Sequence, residues 1–158
     1  MSVALRSTLF TLLVPGTGAV LIPSWMIYGH FPDRAGSGWP GVILIILGAG
    51  LYLWCLRLFA TVGGGTPGPW DAPRRVVAVG PYRWVRNPIY LAALTVVAGE
   101  AWLFGSTALL EYAAVMAVTV HLFVVGYEEP TLRRRFGTSY IGYTDRVPRW
   151  VPHRPQHA

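Results

Sequence analysis

With 158 residues, 53% of them hydrophobic and only 13% charged, the chain is too apolar for an ordinary soluble domain. Its net charge of +6 is carried by arginine alone, lysine being absent, and most arginines fall within residues 74–86 and 133–154. A nucleic-acid binder is also basic, but arginines at the ends of apolar runs form the positive-inside pattern of a membrane protein. The expected partner is therefore the lipid bilayer, with anionic lipid as the counter-charge, and no nucleic acid.

The first apolar run, residues 7–28, has the length that a bilayer core requires. Pro15, Gly16, Gly18 and Pro23 interrupt it and predict a kinked helix whose freed carbonyls need partners. No small-residue cleavage site follows, so the segment reads as structure rather than as a signal peptide. A short polar loop, residues 30–39, leads to a second span over residues 40–60. Arg57 lies one turn from the end of that span and can snorkel to the interface, which marks the end as cytoplasmic. Cys55 is the only cysteine, so the chain holds no internal disulfide, and its place in an apolar run suits a buried packing residue better than a nucleophile.

Residues 61–87 are too long and too rich in proline and glycine for a simple turn, and loops of this kind carry function. The run GGGTPG is a weak dinucleotide signal, because no strand is expected before it and no acidic residue follows at the required distance. Residues 88–104 and 106–126 read as two further spans joined by a tight turn at Gly105. The expected fold is thus all-α and polytopic: a single membrane domain over 1–158 with about four spans. Residues 1–60 supply two N-terminal spans and 61–158 the functional core, and both termini lie inside. After Gly126 the sequence turns polar, aromatic and basic. Pro130 suits the start of a new helix and Gly137 its end. Leu132, Phe136, Tyr140 and Tyr143 can form one apolar stripe while Arg133, Arg134 and Arg135 face lipid head groups, predicting an interfacial amphipathic helix.

The adjacent carboxylates Glu128 and Glu129 sit at the end of the last span, where desolvating an acid is expensive and a cationic partner is expected. From spacing alone, a ligand site and a plain pairing with Arg133 or Arg86 fit equally well. His121 falls two turns earlier, on nearly the same face as Glu128, but no metal-ligand set surrounds it and an inter-helix hydrogen bond suits it better. Glu100 and Glu111, at the far end of the hairpin, read as solvated. The run GPYRWVRNPIY before the third span is, taken alone, an aromatic and basic interface belt.

Two segments together, GPYRWVRNPIYLA at residues 80–92 and EEPTLRRRFGTSYIGYTDRVPRWVP at residues 128–152, resemble the isoprenylcysteine carboxyl methyltransferase and phospholipid methyltransferase superfamily. Its pattern is G-x-Y-x-x-x-R-H-P-x-Y-x-G, a transmembrane hairpin, then E-E-x-x-L with F-G-x-x-Y-x-x-Y and R-V-P-R. The resemblance covers the chain from about Arg74 onward and implies S-adenosylmethionine as cofactor, with S-adenosylhomocysteine as product. It also implies a lipophilic acceptor. By the same resemblance Arg74, Arg75, Val76 and Val77 approach the cofactor, and Tyr82, Asn87, Pro88, Ile89 and Tyr90 enclose it with Glu128 and Glu129.

Three positions depart from the pattern. Asn87 replaces the family histidine and cannot act as a general base near neutral pH, Ala92 replaces a glycine, and Val124 stands where some members carry an arginine. The catalytic residues are left unassigned. A membrane reductase using NADPH is the alternative enzyme, since such enzymes carry a similar R-H-P-N-Y segment, and a non-catalytic assembly subunit is the alternative outside enzymes. An all-arginine basic complement points to a bacterial cytoplasmic membrane.

Overall fold

The computed structural model describes residues 3–29, 38–64 and 74–153, and among these every regular element is helical. Residues 30–37 of the first loop, the GGGTPG run beyond Gly64 and Arg154 lie outside the described residues. Three stretches are long and apolar enough to cross a membrane: Thr8–Tyr28, Trp39–Gly63 and Thr107–Phe136. The fourth span is shorter, the helix Pro88–Phe104. At 1.5 Å per residue its 17 residues reach about 26 Å, close to the thickness of a hydrocarbon core.

In chain order the α-helices are α1 (Val3–Leu13), α2 (Ile22–Gly29), α3 (Trp39–Leu58), α4 (Pro88–Phe104), α5 (Thr107–Phe123), α6 (Glu129–Phe136) and α7 (Thr138–Arg146). Each of the three long spans also contains one π-helical turn: Thr17–Leu21 between α1 and α2, Phe59–Gly63 after α3, and Val124–Glu128 between α5 and α6. In each, an amide reaches back five residues, as Ile22 N–H does to Thr17 O and Glu129 N–H to Val124 O. The proline-interrupted first span is therefore carried through on a widened turn, with Pro23 fully buried next to it.

Helix α4 is the centre of the bundle. Its Ile89, Ala92, Ala93, Val97 and Ala101 are buried, while the other spans expose large apolar side chains outward, with Leu12 at 62%, Ile46 at 64% and Leu122 at 64%. That surface suits lipid, not water. The turn at Gly105 falls where the sequence predicts it, and the Ser106 hydroxyl caps α5 by accepting from Leu109 N–H at 3.4 Å.

Glycines decide how closely α3 and α4 approach, as small residues do between helices in lipid. A Cβ placed on Gly41 would come within 2.6 Å of Gly99 O and Leu103 N, and one on Gly48 within 2.8 Å of Ala92 O. These contacts are with backbone, which cannot swing aside. Gly41→Val is accordingly expected to lower stability by about 3 kcal/mol. The loss would show as an earlier unfolding midpoint of the reconstituted protein, and an unchanged midpoint would mean that the pair is loosely packed.

The segment after the last span refines the expected interfacial helix. It is continuous with α5 through the π turn and then breaks at Gly137, whose φ of 53° and ψ of −129° fall in a region open to glycine and not to other residues. The four stripe residues do share a face, but that face turns inward: Tyr140 and Tyr143 are buried with Val147 against Val76, Leu132 and Phe136. Arg133, Arg134 and Arg135 remain exposed.

Candidate active site

Residues 80–91 wall one end of the bundle. Pro81 opens a 3-10 turn over Gly80–Arg83, and Pro88 opens α4. Pro88 also keeps the preceding residue out of helical geometry: Asn87 sits at φ −120° and ψ 50°. The C-terminal segment docks onto this wall through its backbone, with Arg86 N–H donating to Pro148 O at 2.8 Å and His153 N–H to Trp84 O at 3.0 Å. The Asn87 side-chain amide donates to Arg149 O at 3.1 Å, and the Tyr143 hydroxyl to Tyr82 O at 2.8 Å. One helical hairpin and the two polar segments are thereby closed into a single unit.

The neighbouring glutamates take opposite parts in it. Both oxygens of the buried Glu129 are occupied by cations: Arg149 binds in a fork through Nε at 2.7 Å and Nη2 at 3.0 Å, and Arg86 Nη1 adds a contact at 3.0 Å. The sequence reading named Arg86 and Arg133 as pairing candidates. The structure supplies Arg86 and Arg149, the latter from the RVPR run. Its hydrogen bonds to Glu129 hold the Arg149 guanidinium above the usual arginine range.

Glu128 instead meets a tyrosine. Its Oε2 accepts a 2.8 Å hydrogen bond from the Tyr90 hydroxyl, and its Oε1 takes none from a described residue. Glu128 and Tyr90 lie on the wall of a cavity of about 460 Å³, which also reaches Val76, Val77, Tyr82, Arg86 and Asn87. At its other end the lining is apolar, from Phe10 and Val14 of the first span and Val120 and Phe123 of α5. Tyr140 and Tyr143 close the side facing the C-terminal segment. Burial, followed by the negative charge of Glu129, pushes the Tyr140 phenol up to about 12, and burial raises Tyr143 and Tyr82 as well. All three phenols thus stay neutral at physiological pH.

Of the residues expected around a cofactor, Val76, Val77, Tyr82, Asn87, Tyr90 and Glu128 line this cavity together. Arg74 and Arg75 are exposed beside it. Pro88 lines a separate groove, Ile89 packs with Cys55 and Val77, and Glu129 is held behind the wall by its arginines. Cys55 is a fully buried core residue.

Several features escaped the sequence reading. His121 does not line the cavity with Glu128 and takes a hydrogen bond, as the preferred reading had it, but from the C-terminal segment and not a neighbouring span: its Nδ1 accepts from Trp150 Nε1 at 3.0 Å. Glu100 is not simply solvated, since its Oε2 is shut off from solvent without a hydrogen bond, whereas Glu111 is exposed. The apolar arm of the cavity, Phe10 and Val14 with Val120 and Phe123, carries no motif at all.

The cavity volume falls in the range of small-molecule sites, about 300–1,000 Å³. It offers one carboxylate oriented by a phenol and several aromatic faces. Such a lining suits a cationic ligand with flat aromatic parts.

Neither a curated protein nor a solved structure matches the chain. A family model described as phospholipid methyltransferase does match it, over residues 37–139. That range takes in α3, the wall at residues 80–91, the hairpin and both glutamates, and ends before Arg149. It spans well over half of the sequence and covers most of the cavity, so the chain belongs to the phospholipid methyltransferase family, within the integral membrane methyltransferases.

Proposed function

We propose that the protein uses S-adenosylmethionine to methylate a lipophilic acceptor at the inner face of a bacterial cytoplasmic membrane. The observation that carries this reading is the division of the cavity into a polar end, where Tyr90 presents Glu128, and an apolar end between the first span and α5. Bound there, S-adenosylmethionine supplies a methyl carbon activated by its sulfonium, and S-adenosylhomocysteine is what remains after transfer.

The residues fit that group. Glu128 offers a carboxylate oxygen to an ammonium, and Tyr82, Tyr90 and Phe136 offer aromatic faces to a sulfonium or to an adenine ring. Asn87 contributes hydrogen bonding but no proton transfer, which in-line methyl transfer to a ready nucleophile does not need. Phe10, Val14, Val120 and Phe123 exclude water and admit the hydrocarbon part of the acceptor from the bilayer. The arginine-rich end faces the cytoplasm by the positive-inside rule, which gives the cavity access to a water-soluble cofactor.

The direct test is incubation of the reconstituted protein with methyl-labelled S-adenosylmethionine and a total membrane lipid extract. Label should appear in one lipid-soluble species. Binding of NADPH without binding of S-adenosylmethionine would instead assign the protein to the reductases.

A further inference from the structure

A second hollow lies on the other side of the residue 80–91 wall. It has a volume of about 380 Å³ and is lined chiefly by Leu51, Trp54, Pro81, Arg83, Trp84 and Leu91. Among the described residues it shares no lining residue with the reaction cavity: Tyr82, Arg86, Asn87 and Tyr90 face one side of the wall, while Pro81, Arg83, Trp84 and Leu91 face the other. The wall is seated tightly there. Gly80 has a φ of +57°, and a Cβ on it would come within 2.9 Å of Leu58 Cδ1 and 3.3 Å of Trp54 Cζ2. The groove is therefore a fixed depression between α3, α4 and the wall.

We propose that this groove binds one molecule of anionic phospholipid, as a site separate from the reaction cavity. Its lining runs in the order of a lipid molecule. Leu51, Trp54 and Leu91 belong to membrane spans and form the part that an acyl chain would cover, and Arg83 stands just outside them where a phosphate would lie. Trp54 and Trp84 remain 53% and 46% exposed, leaving large apolar faces open along the groove.

Charge selects the occupant. The Arg83 side chain is exposed and makes no hydrogen bond or ion pair with a described residue, and neither does the side chain of Arg57, one turn beyond Trp54 on α3. Among the described residues, no carboxylate lines the groove to receive the cationic head of a zwitterionic lipid. An anionic phosphate satisfies both halves of the groove at once.

The test uses the full chain reconstituted in mixed vesicles of phosphatidylglycerol and phosphatidylcholine, with retained lipid identified by native mass spectrometry after gentle extraction. Phosphatidylglycerol should be retained in preference, at one molecule per chain. Arg83→Gln should lower that preference roughly fivefold, and Leu91→Trp, which fills the apolar part and leaves Arg83 in place, should displace the lipid. Arg134→Gln, exposed on α6 and remote from the groove, should change nothing. Equal retention of the two lipids, unaltered retention in either groove variant, or cross-linking of two chains through Trp54 would each overturn the proposal. None of these readouts depends on methyl transfer.

Discussion

Glu129→Gln is expected to lower the stability of the folded protein by about 3 kcal/mol. The substitution is nearly isosteric, so the loss does not come from packing. It comes from leaving Arg86 and Arg149, held side by side by one buried carboxylate, with no counter-charge between them. Arg149 loses its two-pronged partner, and the backbone bonds from Arg86 to Pro148 and from His153 to Trp84 lose the anchor that aligns them. Chemical unfolding of the reconstituted protein should show an earlier midpoint, with protease sensitivity rising first in the C-terminal segment. Wild-type stability in this variant would mean that the three-way pair is only a surface contact.

The adjacent substitution should behave in the opposite way. Glu128→Gln keeps an oxygen that accepts from Tyr90, and Glu128 forms no ion pair with a described arginine, so the fold should survive. What disappears is the negative charge offered to the cavity. A charge-assisted hydrogen bond contributes about 1.5–3 kcal/mol, so affinity for S-adenosylmethionine should fall roughly tenfold to a hundredfold. Calorimetric titration of the two variants checks both halves: Glu128→Gln stable but weakly binding, Glu129→Gln unstable, with binding lost in proportion to the unfolded fraction. Unchanged affinity in a folded Glu128→Gln protein would move the cofactor elsewhere.

This contrast marks the boundary of what the sequence reveals. The spans were legible because hydrocarbon imposes length and composition on them, and the ends of α4 could be read from Pro88 and Gly105, each of which acts locally. The convergence of Tyr90 and Glu128 followed from two motifs returning to one end of a hairpin. The different tasks of Glu128 and Glu129 were not legible, because they depend on the π turn at Val124–Glu128, for which residue type gives no signal. Of the partners of Glu129, Arg86 was legible and the second was not, for a related reason. Arg133 is nearer in sequence, but Arg149 arrives by backbone pairing with the wall, a contact of long range. The apolar arm of the cavity could not be read either, since Phe10 and Val14 look like any lipid-facing residues until the first span is placed beside α5.

The π turn also bears on how this protein tolerates changes in length. Every side chain from Glu128 to Phe136 takes its direction from the one widened turn before it. Deleting a single codon there would turn the whole following stretch by about 100° around the helix axis. The carboxylate now locked behind the wall and the one now offered to the cavity would both lose their places. Exchanges of one apolar residue for another between Val124 and Tyr127 leave that phase untouched, so drift in side-chain identity is tolerable here and drift in residue number is not.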